Sequence, residues 1–230
     1  MKKQDLIFIS TILLIIVPLI LWDKSFNAYL SFNKSHGMIM SFVKFGILAT
    51  LGEVIGLRIR TGNYFQKGFG LLPKTIVWGF IGLTIKLAFI IFATGTPQFL
   101  DDMGLKGAVT AMKGDINITK ISIAFAISAA MNIIYAPVMM TFHKLTDIHI
   151  SKYKGKFNSL FIPIDFAKGF KSIDWDVQWN FVFKKTIPFF WIPAHTVTFL
   201  MPSDFQVLFA ALLSIVLGLI LAVASLKSKK

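Results

Sequence analysis

Residues 70–94 read GLLPKTIVWGFIGLTIKLAFIIFAT, a run whose only charges are Lys74 and Lys86. At 1.5 Å per residue such a helix crosses a hydrocarbon layer of about 30 Å. Five further runs have comparable length and character: 6–22, 38–57, 119–142, 180–201 and 205–224. The whole chain agrees with this reading. It has 230 residues, 55% of them hydrophobic, and only 15% are charged, against about 25% in soluble proteins. Mean hydropathy is +0.70. The expected fold class is all-α, a polytopic transmembrane helical bundle with about six membrane segments. No stretch rich in Pro, Gly or Ser divides it, so residues 1–230 are read as one membrane domain.

The formal net charge is +13, which in a soluble protein points toward nucleic acid; here the distribution of the charge matters more. If the amino terminus is cytoplasmic, the inner segments carry fourteen Lys and Arg. They are Lys2, Lys3, Arg58, Arg60, Lys67, six lysines from Lys144 to Lys171, and Lys227, Lys229 and Lys230. The outer segments carry five: Lys24, Lys34, Lys106, Lys113 and Lys120. This bias puts both termini in the cytoplasm and sets the basic loops against anionic lipid headgroups, with no nucleic-acid partner. A bacterial plasma membrane fits the lysine-rich, cysteine-free composition, and an organellar membrane is the alternative. The run 6–22 also has the basic start of a secretory signal, but its length and the poor cleavage sequence WDKSFNAYL favour a retained helix.

The connection 143–179 interleaves lysines with Phe157, Phe161, Phe166, Phe170, Trp175 and Trp179. That pattern suits a segment lying in the headgroup layer; a solvated loop with aromatics folded back on the bundle is the other reading. The loop 95–119 holds Asp101-Asp102 and MKGD but lacks the ligand spacing of a calcium loop.

Ionisable groups inside membrane spans are costly and mark function by default. Lys44, Glu53, Lys74, Lys86, Lys184, Lys185 and His195 qualify. Lys74 sits near a helix start, where snorkelling explains it. Lys44 and Glu53 are nine residues apart, on opposite faces of one helix, so Glu53 needs a lysine from elsewhere; Lys86 is the candidate. Such a pair either fixes helix packing or lines a pathway. Gly46, Gly52, Gly56, Gly79 and Gly82 mark close helix contacts.

Residues 184–202 read KKTIPFFWIPAHTVTFLMP. On an α-helical wheel Lys184, Trp191, His195 and Thr198 share one face, and the carbonyls freed by Pro188 and Pro193 require the protein interior or a cavity. Both arguments turn this face inward.

No HExxH, GxSxG or phosphate-binding glycine loop occurs, and there is no cysteine. The six-residue spacing of His143 and His149 does not put both on one helix face, so they are read as interfacial and no metal site is expected. No enzyme activity and no cofactor are expected either.

Four stretches carry a resemblance: GILATLGEVIG at 46–56, GFGLLPKTIVWGFIGL at 68–83, NIIYAPVMM at 132–140, and WIPAHTVTFLMPSDFQVLF at 191–209. In order and character they resemble the Mpv-seventeen and peroxisomal-membrane-protein-twenty-two family of small integral membrane proteins. Pro73, Trp78, Pro137, Trp191, Pro193, Phe199 and Pro202 are the positions that match the family pattern. Glu53 stands where the family has Asp, and His195 and Thr198 where it has Gln and Asn; Leu72, Gly79 and Gln206 also depart from it. The family description has four spans, so the run 6–22 is an addition and the run 180–201 is either a span or re-entrant.

The resemblance implies a channel or pore. The expected function is a weakly selective pathway for small solutes, lined by Glu53, Lys86, Lys184, His195 and Thr198, with a homo-oligomer compatible with the reading. The alternative is a non-conducting membrane organiser or assembly partner that binds lipid or protein through 152–179.

Overall fold

The structure, a computed structural model, describes residues 3–227, with side chains described as far as Ile220. Lys2, Lys229 and Lys230, counted in the charge bias, lie outside the described residues. The chain is 83% helical and has no strands among the described residues, the all-α class expected from the apolar runs.

Two compact units form, Met1–Met40 and Ser41–Lys230. The first contains α1 (Lys3–Leu21) and α2 (Asp23–Ser35), separated at Trp22, whose backbone is extended. Ser25 caps this break by donating its hydroxyl to the Trp22 carbonyl at 2.8 Å. No α1 residue is buried. The next helix, α3 (Gly37–Thr61), begins in the first unit and continues through the second.

The second unit holds the rest: α4 (Leu71–Asp102), α5 (Ala108–Ala111), α6 (Ile118–Ile134) and α7 (Ala136–Lys152). After a 3-10 turn at Phe157–Phe161 come α8 (Phe166–Lys171) and α9 (Trp175–Val177), then a π-helix over Gln178–Trp191. It runs directly into α10 (Ile192–Leu200), and α11 (Ser203–Lys227) ends the described chain.

Helices α1, α3, α4 and α11 are long and apolar enough to cross a membrane. Helices α6 and α7 make a fifth span if taken together, bent by 43° at Tyr135. Pro137 falls in the first turn of α7, where its missing N–H costs nothing and its ring forces the break. The bend also carries the helix beyond the expected end at 142, to Lys152, so the basic connection starts late. The expected segment 180–201 is not among the spanning helices. It divides between π and α geometry, and each part is short.

The core of this unit is built on α6. Ile123, Ala124 and Ile127 are fully buried and pack with Phe45 and Ala49 of α3, Ile85 and Phe89 of α4, Phe199 of α10 and Ala211 of α11. Of the glycines expected at helix contacts, Gly46, Gly52 and Gly82 sit where backbones meet, and Gly79 makes room for the Phe42 ring. A Cβ on Gly82 would lie 2.6 Å from the Ser41 carbonyl oxygen, and one on Gly52 would lie 3.0 Å from the Ser214 carbonyl oxygen. Asp101, in the last turn of α4, accepts from the Gly107 amide at 2.6 Å, so this carboxylate closes a turn. In the connection after α7, the six aromatics singled out above are all exposed, and Asp165 and Asp174 cap the short helices that follow them.

Candidate functional site

Helices α3, α4 and α7 bring four chemically active side chains to one point. Lys74 is buried, and its ammonium donates to Glu53 Oε2 at 2.6 Å and also to Asp147 Oδ1. Glu53 Oε1 accepts from Trp78 Nε1 at 2.6 Å and lies 3.2 Å from His143 Nε2. The His143 ring sits 4.2 Å from the Trp78 ring, centroid to centroid. Lys74 therefore does not snorkel. The expected Glu53–Lys86 pair is corrected here: the lysine of Glu53 is Lys74, one turn into α4, and Lys86 lies twelve residues further along the same helix.

His143 and Asp147 are four residues apart on α7, so a helix places them on one face. That spacing is the signal the sequence carries for the pairing. His149 instead faces away, with Nε2 2.9 Å from the Ser159 carbonyl oxygen. Glu53, His143 and Asp147 offer three ligand atoms within 4.8 Å of one another, the kind of set that holds a metal ion. The Lys74 ammonium already bridges the two carboxylates, so the chain supplies its own cation at this point.

The cluster forms one wall of a cavity of about 540 Å³. Ala49, Gly52, Gly56 and Arg60 of α3 line it, together with Met139, Met140 and Lys144 of α7 and Ser214, Leu217 and Gly218 of α11. The opposite wall is Asp174, Val177, Gln178, Val182, Thr186 and Trp191. Arg60, Lys144 and Asp174 are exposed, so the cavity opens at the end of the bundle that carries the basic loops. We refer to it as the vestibule.

The opposite wall depends on the π-helix. Gln178, Val182, Thr186 and Trp191 are spaced four, four and five residues apart. Hydrogen bonding from i to i+5 opens the turn beyond four residues, which keeps all four on one side. At about 100° per residue they would scatter over more than half the helix circumference. The same geometry undoes the wheel drawn for 184–202. Lys184 is exposed and reaches Asn180 Oδ1 at 3.3 Å. Pro188 and Pro193 are exposed as well.

A smaller cavity of about 40 Å³ lies deeper, and Trp78, Met139, Met140, Trp191 and Ser214 line both spaces. His195 and Asn132 belong to the smaller one. His195 is buried, its ring stacks on Trp191 at 5.1 Å, and its Nδ1 is 3.0 Å from Asn132 Nδ2 and 3.2 Å from Asn132 Oδ1. Asn132 also donates to the Ser128 carbonyl at 2.8 Å, and the Ser128 hydroxyl donates to the Ile192 carbonyl at 2.7 Å. This chain of polar contacts ties α6 to α10 where the π-helix ends.

Of the five expected lining residues, the structure puts Glu53 in the vestibule wall and His195 in the deeper space. Lys86, Lys184 and Thr198 line neither. Thr198 is fully buried and donates its hydroxyl to the Ala194 carbonyl of its own helix. The residues of the family-like pattern sit at structural joints: Pro73 is buried in the first turn of α4, Pro193 begins α10, and Pro202 separates α10 from α11. Phe199 packs on Phe89 at 5.1 Å.

Fold and site together define an all-α bundle with membrane-length apolar helices and a charged vestibule inside it. Comparison with family models, with curated proteins and with solved structures gave no match.

Proposed function

We propose that this is an integral membrane protein providing a weakly selective pathway for small polar solutes, in the manner of the Mpv-seventeen-like proteins its motifs resemble. The observation that carries the reading is the vestibule. Its volume of about 540 Å³ falls in the range of small-molecule sites, about 300–1,000 Å³. It lies within a bundle whose helices have spanning length, and it is walled by ionisable groups that are costly to shield from water. Met139, Met140 and Trp191 line both it and the space beside His195. Methionines adapt their shape readily and suit a gate that closes on the packed core beyond. By the charge bias, the vestibule faces the cytoplasm.

The test exploits the absence of cysteine. Ser214→Cys places a single thiol on the wall shared by both cavities, and Thr186→Cys places one on the π-helix. Proteoliposomes carrying either variant should pass a small polyol and lose most of that flux after treatment with a bulky thiol reagent. Unmodified protein should be unaffected by the reagent. Vesicles that stay tight to every solute before labelling would overturn the proposal. The organiser reading draws on the exposed aromatics and lysines of 152–179; co-purification of anionic lipid without any flux would favour it.

A further inference from the structure

The acidic groups of the vestibule are already committed to the protein, and this decides what the cavity can receive. Both oxygens of Glu53 are occupied: Oε1 by Trp78 at 2.6 Å and His143 at 3.2 Å, Oε2 by Lys74 at 2.6 Å. Asp147 shares the Lys74 ammonium. Asp174 accepts from the Val177 amide at 3.1 Å as a helix cap. What the vestibule leaves uncommitted is mostly donors and positive charge. Gln178 and Trp191 line it at 5% and 8% exposure, and neither Gln178 Nε2 nor Trp191 Nε1 has an acceptor in the protein. A buried N–H without an acceptor carries the full cost of its desolvation. Arg60 and Lys144 line the open end, and neither forms an ion pair among the described residues.

From this we infer that the vestibule is a site for a small organic anion of the carboxylate class; the inference rests on the solute-pathway reading and names its substrate. One carboxylate satisfies the Trp191 donor in the interior, and the other meets Gln178, at the opposite end of the π-helix. Arg60 and Lys144 attract the anion from solution and hold this second carboxylate at the mouth. Lys74 makes this possible from behind the wall. With one positive charge set against two carboxylates it offsets half of the field that would otherwise repel an anion. The π-helix supplies the other half, because only its wide turn holds Gln178 and Trp191 on the same side as Thr186.

Succinate, choline and glycerol serve as anionic, cationic and neutral probes. With the purified full-length protein, isothermal titration should show saturable succinate binding and none of choline or glycerol at the same concentrations. Gln178→Leu and Trp191→Phe remove an N–H and retain much of the shape, and each should weaken succinate binding roughly tenfold. Arg60→Gln and Lys144→Gln, at exposed positions that do not threaten the fold, should weaken it several-fold at low salt and converge with the parent protein at high salt. The inference is overturned by choline binding as tightly as succinate, by absence of succinate binding, or by mouth variants with unchanged affinity and salt dependence. Flux separates the two proposals. Vesicles that pass glycerol, choline and succinate at equal rates keep the pathway and overturn the anion site. Succinate binding with no flux of any solute keeps the site and overturns the pathway.

Discussion

Lys74 is where a single residue decides most. It stands between two carboxylates from different helices, and its side chain is 8% exposed against 21% for Glu53 and 28% for Asp147. Removing one member of such a cluster leaves the others charged, close together and poorly solvated. Lys74→Met should therefore lower stability by about 3 kcal/mol, read from thermal unfolding in detergent. Adding Glu53→Gln and Asp147→Asn to that variant should recover most of the loss, because the groups act as a unit. Additive losses would mean that the three side chains do not share one network. The need of Glu53 for a lysine was legible in the sequence, from the cost of a lone carboxylate in a span. The choice of lysine was not. Periodicity gives the face of a residue but not which neighbouring helix that face meets. Lys86 lies about 18 Å further along α4 than Lys74, and only the packing of α3 against α4 sets which of the two reaches Glu53.

At the scale of elements, spans and helix crossings were readable because they follow from length and small side chains. The π-helix was not, because a wheel assumes its own period, and the one drawn for 184–202 assumed the α period. Trp191, His195 and Thr198 still came out buried together, since they lie at or beyond residue 191 where α geometry resumes. Lys184, seven residues earlier and inside the π-turns, did not. A second element-level feature has no signature in hydrophobic periodicity. Gly70, just before α4, and Gly155, just after α7, cross backbone on backbone. A Cβ on Gly155 would lie 2.4 Å from the Gly70 nitrogen and 2.7 Å from the Gly68 carbonyl oxygen, and the residue has a φ of +66°. That crossing fixes the ends of the two helices that carry Lys74 and Asp147. Gly155→Ala combines a left-handed backbone with a collision against main chain, so a loss of about 2 kcal/mol is expected, roughly 4–8 °C in a chain of this size. Gly95→Ala, whose Cβ meets nothing within 4 Å, should not lower the midpoint. Equal behaviour of the two variants would remove the crossing from the account of how the cluster is held.

At the largest scale, the unit Ser41–Lys230 is polarised along its bundle. Arg58, Arg60 and the lysines from Lys144 to Lys171 gather at the end where the vestibule opens, while the loop between α4 and α6 carries only Lys106 and Lys113, with Lys120 in the first turn of α6. Cations near a helix end resist transfer across a membrane, and the anionic cytoplasmic leaflet attracts them at about 1 kcal/mol each. The vestibule, the exposed aromatics after α7 and the basic loops should therefore share the cytoplasmic side, with the α4–α6 loop outside. The natural absence of cysteine makes this directly measurable. Lys113 and Lys156 are both exposed, so Lys113→Cys and Lys156→Cys each present one reactive thiol without disturbing the core. A membrane-impermeant maleimide added to intact bacterial cells should label Lys113→Cys and spare Lys156→Cys until the membrane is opened. The reverse pattern would place the vestibule mouth outside the cell, and Arg60 and Lys144 would then collect anions for entry and not for exit. Labelling of both variants in intact cells would mean that the charge bias does not orient this chain.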